Sequence, residues 1–272
     1  MTEQLSLTNK PQRGSLTWQT TNQGEYSAFS NVISTHDHTP LPQHGRLHLA
    51  PDQVQIHLLR PAKHATYPSL SSAEQARAER YKFAKDRILY QAAHHFLRTT
   101  LSRYAEITPD AWYYSHNQYG KPAVANLGHT QLQFNLSHTR GLVGCAVSLN
   151  RAVGVDVESA RPLSDLVSIS HSVYAGPELA DVLAHSGAAQ RTRFYTYWTL
   201  KEAYIKARGM GLYLPLKQFH FTAADNGLWQ LHCAAKLNDN GQHWHCQALT
   251  LSQSDYLAYI VASQPNSTET TL

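Results

Sequence analysis

The stretch AVGVDVESA, residues 152–160, is a short valine-rich strand that carries two carboxylates. In an extended segment successive side chains alternate faces, so Val153, Val155 and Val157 point one way and Gly154, Asp156 and Glu158 the other. Like charges side by side repel and raise each other's proton affinity unless a cation or hydrogen-bond donors compensate. Either this face meets water, as in an ordinary half-buried edge strand, or something positive sits on it. A hard divalent cation is one such partner, because Mg²⁺ takes one or two carboxylates and fills its remaining positions with water and substrate phosphate.

Working outward from this strand, the pattern alternates strands and helices. Upstream, VQIHLL at 54–59 reads as a first strand. Ser71 followed three residues later by Glu74 is a capping-box pattern that opens a helix. From Asp86 onward Leu89, Ala92, Ala93, Phe96, Leu97, Thr100, Leu101 and Tyr104 recur at helical spacing. Turns at NQYGKP and NLGH bracket a short segment, and LQFNLSH with LVGCAVSL reads as a strand pair. Downstream, TRFYTYWTLKEAYIKARG reads as a helix capped at Gly209. FHFTA, LWQLHC, HWHCQAL and YLAYIVA follow as strands. Each half thus offers strands plus one long amphipathic helix. The expectation is an α+β fold of two similar α+β subdomains in a pseudo-twofold arrangement, residues 46–150 and 151–262, with a cleft between them. Residues 1–45, rich in Thr, Ser, Asn, Gln, His and Pro, read as a flexible or loosely packed extension, and 263–272 as a tail.

With 272 residues the chain can bury a sizeable core. A tenth of it is aromatic and only 15% charged, the balance of a soluble globular protein. No run of about 18 apolar residues is present, so no membrane-spanning helix is expected, and the polar N-terminus lacks an apolar signal core. Three scattered cysteines, Cys145, Cys233 and Cys246, suit neither a disulfide framework nor zinc, and point to a reducing cytoplasm. A net charge of +4 and a pI near 8.9 lean towards anionic partners, without the Lys/Arg runs of a nucleic-acid arm.

In the second long helix Trp198, Glu202 and Lys206 are four residues apart, each step turning about 40° around the axis, so all three share one face. An exposed Glu–Lys pair would contribute a few tenths of a kcal/mol and little else. Trp198 in the same row implies that this face is partly buried, and a buried Glu and Lys then need partners.

At this point the residues resemble a family. VGVDVE, then residues up to 197, then WTLKEAYIK is similar to the two-part signature of the 4′-phosphopantetheinyl transferases, in the larger class related to the surfactin-synthetase activator. The matching positions are Gly154, Asp156, Trp198, Thr199, Lys201, Glu202, Ala203 and Lys206, with YGKP at 119–122 and FNLSH at 134–138 in the family's order. The resemblance implies an enzyme that moves the 4′-phosphopantetheine arm of coenzyme A onto a serine of an apo acyl or peptidyl carrier protein and releases 3′,5′-ADP. It implies Mg²⁺, with Mn²⁺ as the alternative, held by Asp156, Glu158 and Glu202. Glu202 is then the expected base for the carrier serine, with Asp156 or a water beside the metal as competitors, and Lys206 is placed to meet the phosphate. Lys121, Ser137 and His138 match positions that contact the nucleotide end of coenzyme A and its 3′-phosphate, and Arg77, with Arg80 less firmly, aligns with a basic residue that reaches the 3′-phosphate. Glu74 departs from the pattern: a relative carries a second basic residue there, so that pocket must be rebuilt from Arg80, Arg87 or elsewhere.

The partners so implied are coenzyme A and a small acidic carrier domain, with neither nucleic acid nor membrane, and a monomer is expected. A metal-dependent phosphatase or nuclease also uses acidic clusters, but would want more carboxylates. A coenzyme A or carrier-protein binding module without catalysis is the non-enzymatic alternative.

Overall fold

The structure, a computed structural model, describes residues 46–264 except 63, 64, 250 and 252–255, together with the backbone of three short strands before them. Those strands are β1 (Thr17–Thr20), β2 (Tyr26–Phe29) and β3 (Ile33–His36). They lie in the segment whose polar composition suggested a loose extension. Each is four residues long, too short for a period-2 pattern to stand out in the sequence. The rest of residues 1–45, and 265–272 of the expected tail, lie outside the described residues.

The first half continues with β4 (Val54–Leu59), α1 (Ser72–Glu79), α2 (Ala84–Leu101), the hairpin β5 (Tyr114–His116) and β6 (Pro122–Val124), then β7 (Leu132–Thr139) and β8 (Leu142–Leu149). Four of these strands form a sheet in the order β3-β4-β8-β7, with β3 parallel to β4 and the other pairs antiparallel. The second half holds β9 (Val153–Ser159), α3 (Leu166–Val173), α4 (Gly176–Leu183), α5 (Gly187–Arg208), β10 (Phe219–Ala223), β11 (Trp229–Cys233), β12 (Trp244–Ala248) and β13 (Tyr256–Ser263). Its sheet is antiparallel throughout, in the order β10-β11-β12-β13-β9. The fold is mixed α+β. No helix among the described residues is long and apolar enough to cross a membrane.

Three apolar clusters hold these layers. Helix α2 packs Ala93, Phe96, Leu97 and Leu101 on Phe134, Val143, Cys145 and Val147 of the first sheet. Helix α5 packs Phe194, Leu200, Tyr204 and Ile205 against Phe219, Phe221 and Val261 of the second. Between them Val153, Val155 and Val157, the apolar face of β9, meet Val54, Ile56, Leu58, Leu142 and Ala146 from the first half. The valine face therefore joins the two halves, and α5 covers the carboxylate face.

Helix α1 begins with the expected capping box: the Ser71 hydroxyl accepts from the Glu74 N–H and the Glu74 carboxylate from the Ser71 N–H. Helix α5 ends at Gly209 in the left-handed region, φ 65°, which favours glycine. Helices α3 and α4 were not expected from the sequence. LVSISHSV is short and rich in serine and β-branched residues, which lower helix propensity.

Candidate active site

Gly154 sets how closely α5 lies on β9. A Cβ at this position would stand 1.9 Å from the Ala203 carbonyl oxygen and 2.5 Å from the Ala207 nitrogen, so only glycine permits the approach. Two residues on, on the same face, Asp156 is buried beneath the helix. Its Oδ1 accepts from Lys206 Nζ at 2.5 Å and from Ser137 Oγ at 2.7 Å, and Lys206 also reaches Ser137 Oγ at 2.9 Å. Something positive does sit on the carboxylate face, and it is the Lys206 ammonium.

The other oxygen, Asp156 Oδ2, is buried and has no hydrogen-bond partner among the described residues. Leaving a carboxylate oxygen buried and bare costs several kcal/mol, about 1–3 or more, unless a ligand completes it. Glu158 and Glu202 lie near enough to feel Asp156. Burial first, then the Asp156 charge, pushes the Glu158 carboxyl above the ordinary range, against a hydrogen bond from Thr139 Oγ1 at 3.3 Å and the Lys206 charge. Burial also raises Glu202, with Lys206 pulling it down and Asp156 pushing it up. Glu158 and Glu202, each feeling the Asp156 charge and drawing on the same Lys206 ammonium, make an arrangement short of positive charge. By themselves these side chains do not close a metal cage: among the described residues no three His, Cys, Asp or Glu groups converge as one. The donor set fits a hard cation that draws its remaining ligands from water and phosphate.

The neighbouring sheet supports this cluster. Alternate residues of β7 reach across to β9: Asn135 Oδ1 accepts the Val155 N–H at 2.9 Å, Ser137 Oγ accepts the Val157 N–H at 3.3 Å, and Thr139 donates to Glu158. Asn135 and Thr139 were not singled out from the sequence. The signal was present, since polar residues at every second position of a strand that is otherwise apolar need partners.

The remaining expected residues fall in three places. His138 lies on the opposite face of β7 from Ser137, with its side chain open to solvent in part. Burial lowers its pKa first, and the charges of Lys206 and His94 lower it further, against a smaller pull from Asp156. Lys121 stands elsewhere, with its ammonium on the Val153 and Ala207 carbonyls at 3.2 and 2.9 Å, and burial draws its pKa down to about 8. It ties the β5–β6 turn to β9 and to the end of α5, beside Asn117, whose Nδ2 donates to the Gly209 carbonyl at 2.8 Å. Arg77 and Arg80 line a cavity of about 570 Å³ with Ala73 and Tyr81. Lys201, neighbour of Glu202 in the motif, points the other way: it is fully buried, 2.8 Å from Glu178 of α4, and donates to the Leu216 and Phe219 carbonyls.

Comparison with known proteins meets this geometry at its centre. The model of the 4′-phosphopantetheinyl transferase superfamily matches residues 152–261, from the start of β9 into β13. The 4′-phosphopantetheinyl transferase HetI of Nostoc is 35% identical over 181 residues, which cover 64% of this chain and 76% of the relative. The chain belongs to the 4′-phosphopantetheinyl transferase superfamily. Two further relatives place this transferase in the Sfp-like class. The 4′-phosphopantetheinyl transferase Sfp of Bacillus subtilis is 32% identical over 131 residues, 48% of this chain and 56% of that one. The transferase gsp of Aneurinibacillus migulanus is 30% identical over 151 residues, 56% and 61%. The Asp156, Glu158, Glu202 and Lys206 cluster lies wholly within the region matched by the superfamily model.

Proposed function

We propose that the protein transfers the 4′-phosphopantetheine group of coenzyme A to a serine of an apo acyl or peptidyl carrier protein, with Mg²⁺ held by Asp156, Glu158 and Glu202, and releases 3′,5′-ADP. The observation that carries this is the bare, buried Asp156 Oδ2, flanked by two carboxyls whose proton affinity is raised. In the reaction the serine Oγ forms a bond to the phosphorus that carries pantetheine, the bridging P–O bond of the diphosphate breaks, and its electron pair leaves with 3′,5′-ADP. Such a transfer is carried by positioning and charge stabilisation rather than by covalent chemistry on the protein. The cation, Mg²⁺ or Mn²⁺, would neutralise charge on the diphosphate.

Glu202 takes the serine proton in this reading, because its raised proton affinity makes it a stronger base than an ordinary carboxylate. Lys206 has three donor hydrogens, and with Asp156 and Ser137 holding two of them one is left for a phosphate oxygen. Ser137 anchors Asp156 and Lys206, His138 meets phosphate from the opposite face of β7, and Arg77 and Arg80 take the nucleotide end. Lys121 acts as a strut that ties the β5–β6 turn to β9 and α5.

The site then occupies a cleft between two α+β units, 46–150 and 151–262, related by a pseudo-twofold. The matching arrangement of α2 on the first sheet and α5 on the second supports this, with β7 and β9 at the seam. The protein acts as a monomer in the cytoplasm, where its three thiols stay free, without nucleic acid or membrane.

The test is to follow Mn²⁺ binding by electron paramagnetic resonance and carrier mass by intact-mass spectrometry, in the wild type and in Asp156→Asn. Metal binding in the wild type, with a gain of one phosphopantetheine, both lost in Asp156→Asn, supports the reading. Coenzyme A binding without carrier modification, in wild type with metal present, would replace it with the binding-module reading.

A further inference from the structure

The second sheet carries a pair of histidines that the transfer chemistry does not use. His220 of β10 and His232 of β11 stand directly opposite each other across the antiparallel ladder. Their chain neighbours Phe219, Phe221 and Leu231 turn inward and are buried, so by the alternation of a strand both imidazoles lie on the outer face. His220 is half-buried there and His232 is exposed. The two rings stack, with centroids 4.7 Å apart and planes 12° from parallel. Thr222, two residues along β10 on the same face, brings its Oγ1 to 2.9 Å from His232 Nε2.

For stability alone this is a poor pairing, because protonation sets like charges face to face across the ladder. For a metal ion it is a good one. Residues directly opposed on two strands hold their Cβ atoms about 5 Å apart, close enough for two imidazoles to meet one ion at bonds of about 2.0–2.1 Å. Imidazole nitrogen suits Zn²⁺, Ni²⁺ and Cu²⁺, whereas Mg²⁺ takes oxygen. Burial first, then the charges of His232 and Lys201, lower the His220 pKa, so its ring is neutral near pH 7 and has a lone pair to give. A metal-bound imidazole donates its other ring N–H to an acceptor that fixes tautomer and orientation. Thr222 Oγ1 stands where His232 needs that acceptor. The pair is also well apart from the carboxylate cluster. Strands β10 and β9 are opposite edges of their sheet, four strand spacings or roughly 19 Å from each other. Helix α5, which carries Glu202 and Lys206, packs on the Phe219 and Phe221 face, and the histidines look away from it.

We propose that His220 and His232 chelate a divalent transition-metal ion of the Zn²⁺ type, which pins the edge strand β10 to β11. Among the described residues no group of three His, Cys, Asp or Glu converges, so water completes the coordination. Thr222 is a positioning residue: it accepts the Nε2 proton of His232 and leaves Nδ1 to bind. The site does not depend on the transferase reading above.

Isothermal calorimetry with Zn²⁺ and with Ni²⁺ at neutral pH, in excess Mg²⁺ to fill the carboxylate cluster, tests it on wild type, His220→Gln, His232→Gln and Thr222→Val. The chain has 17 histidines, so His116→Gln, which alters an exposed histidine of β5 outside the pair, is the control. Wild type and His116→Gln are expected to bind one ion alike. Losing either imidazole of the pair forfeits the intramolecular second bond and weakens binding about 100-fold. Thr222→Val weakens it about tenfold. Zn²⁺ is further expected to raise the Tm of wild type and to leave that of both His→Gln variants where it was. A wild type that binds neither ion in excess Mg²⁺ overturns the proposal, as do His→Gln variants that bind as wild type does or lose no more than His116→Gln. Wild-type affinity in Thr222→Val overturns the positioning role. Should His220→Gln fail to fold by circular dichroism, His232→Gln, at the exposed position, decides.

Discussion

Replacing Gly154 by alanine tests the geometry of the whole site with one methyl group. Gly154 has ordinary strand conformation, so the substitution brings no backbone strain, only contact. The new Cβ would stand 1.9 Å from the Ala203 oxygen and 2.5 Å from the Ala207 nitrogen, and both are backbone atoms of a helix that cannot rotate away as a side chain can. Relief to 3.0 Å, the shortest contact real Cβ atoms keep, moves α5 off β9 by about 1 Å. Overpacking of this kind costs about 1–3 kcal/mol, and the rigid neighbours put it at the upper end. For a chain of this size that lowers Tm by about 5–10 °C. Glu202 and Lys206 ride on the displaced turns, so the 2.5 Å contact from Lys206 to Asp156 opens. A misplacement of about 1 Å costs on the order of 100-fold in rate. Differential scanning calorimetry and the initial rate of carrier modification, read by intact mass, give the two numbers. Gly144→Ala is the control, since its Cβ would meet the Val157 Cγ1 methyl at 2.9 Å and side chains alone. Should Gly154→Ala melt and turn over like the wild type, or lose no more than Gly144→Ala, the close approach of α5 to β9 is not what positions the site.

Lys201→Met leaves Glu178 buried without its cation and is expected to cost about 3–5 kcal/mol by urea titration, whereas Lys201→Met with Glu178→Gln recovers part of that loss. Glu74 contributes stability that is complete above its ordinary pKa of 4.5 and disappears as pH falls towards 2, because its folded-state value is the lower one. Wild type therefore exceeds Glu74→Gln by about 1–2 kcal/mol at neutral pH, allowing for partial solvent screening, and urea midpoints of the two converge in acid. Ser137→Ala removes a donor from Asp156 and an acceptor from Lys206 and Val157. It is expected to slow carrier modification at least tenfold, whereas Asn135→Ala, which touches only the Val155 N–H, lowers Tm with a smaller change in rate.

What was legible in the sequence follows from how strongly each segment repeats. Helix α2 and strand β9 announce themselves because Phe96, Leu97 and Leu101, or Val153, Val155 and Val157, keep an unbroken apolar period against a buried layer. Helices α3 and α4 were missed. Glu178, which explains why a lysine stands at 201, was missed with them. For the site, spacing told which residues share a face within one element, Asp156 with Glu158 and Glu202 with Lys206, and the structure brings Asp156 and Lys206 into contact. Spacing cannot tell where a long side chain ends. Lys121 and Lys206 are both lysines that a motif singles out. One spends its ammonium on two backbone carbonyls and the other on the Asp156 carboxylate. That choice depends on which groups a different part of the chain leaves bare, which no local pattern records. The part Glu74 plays has the same origin: its carboxylate is spoken for by His94 and Arg98, twenty or more residues away.

The seam between the halves ties the carboxylates to the packing of the fold. Strands β7 and β9 belong to different sheets, and the link between them is made by side chains: Asn135, Ser137 and Thr139 each reach across. Side-chain bonds of this kind are each worth about 0.5–1.5 kcal/mol net, enough together to fix the register of one half on the other. Ser137 and Thr139 are also the groups that orient Asp156 and Glu158. A carboxylate pair on a buried strand would otherwise be a liability, since each charge raises the other's energy. Here the repulsion is tolerated because the strand is anchored on one side by the valine layer and on the other by α5 through Lys206, so the carboxylates cannot relax apart. The contacts that join the two halves of the protein are thus the ones that hold the carboxylates together.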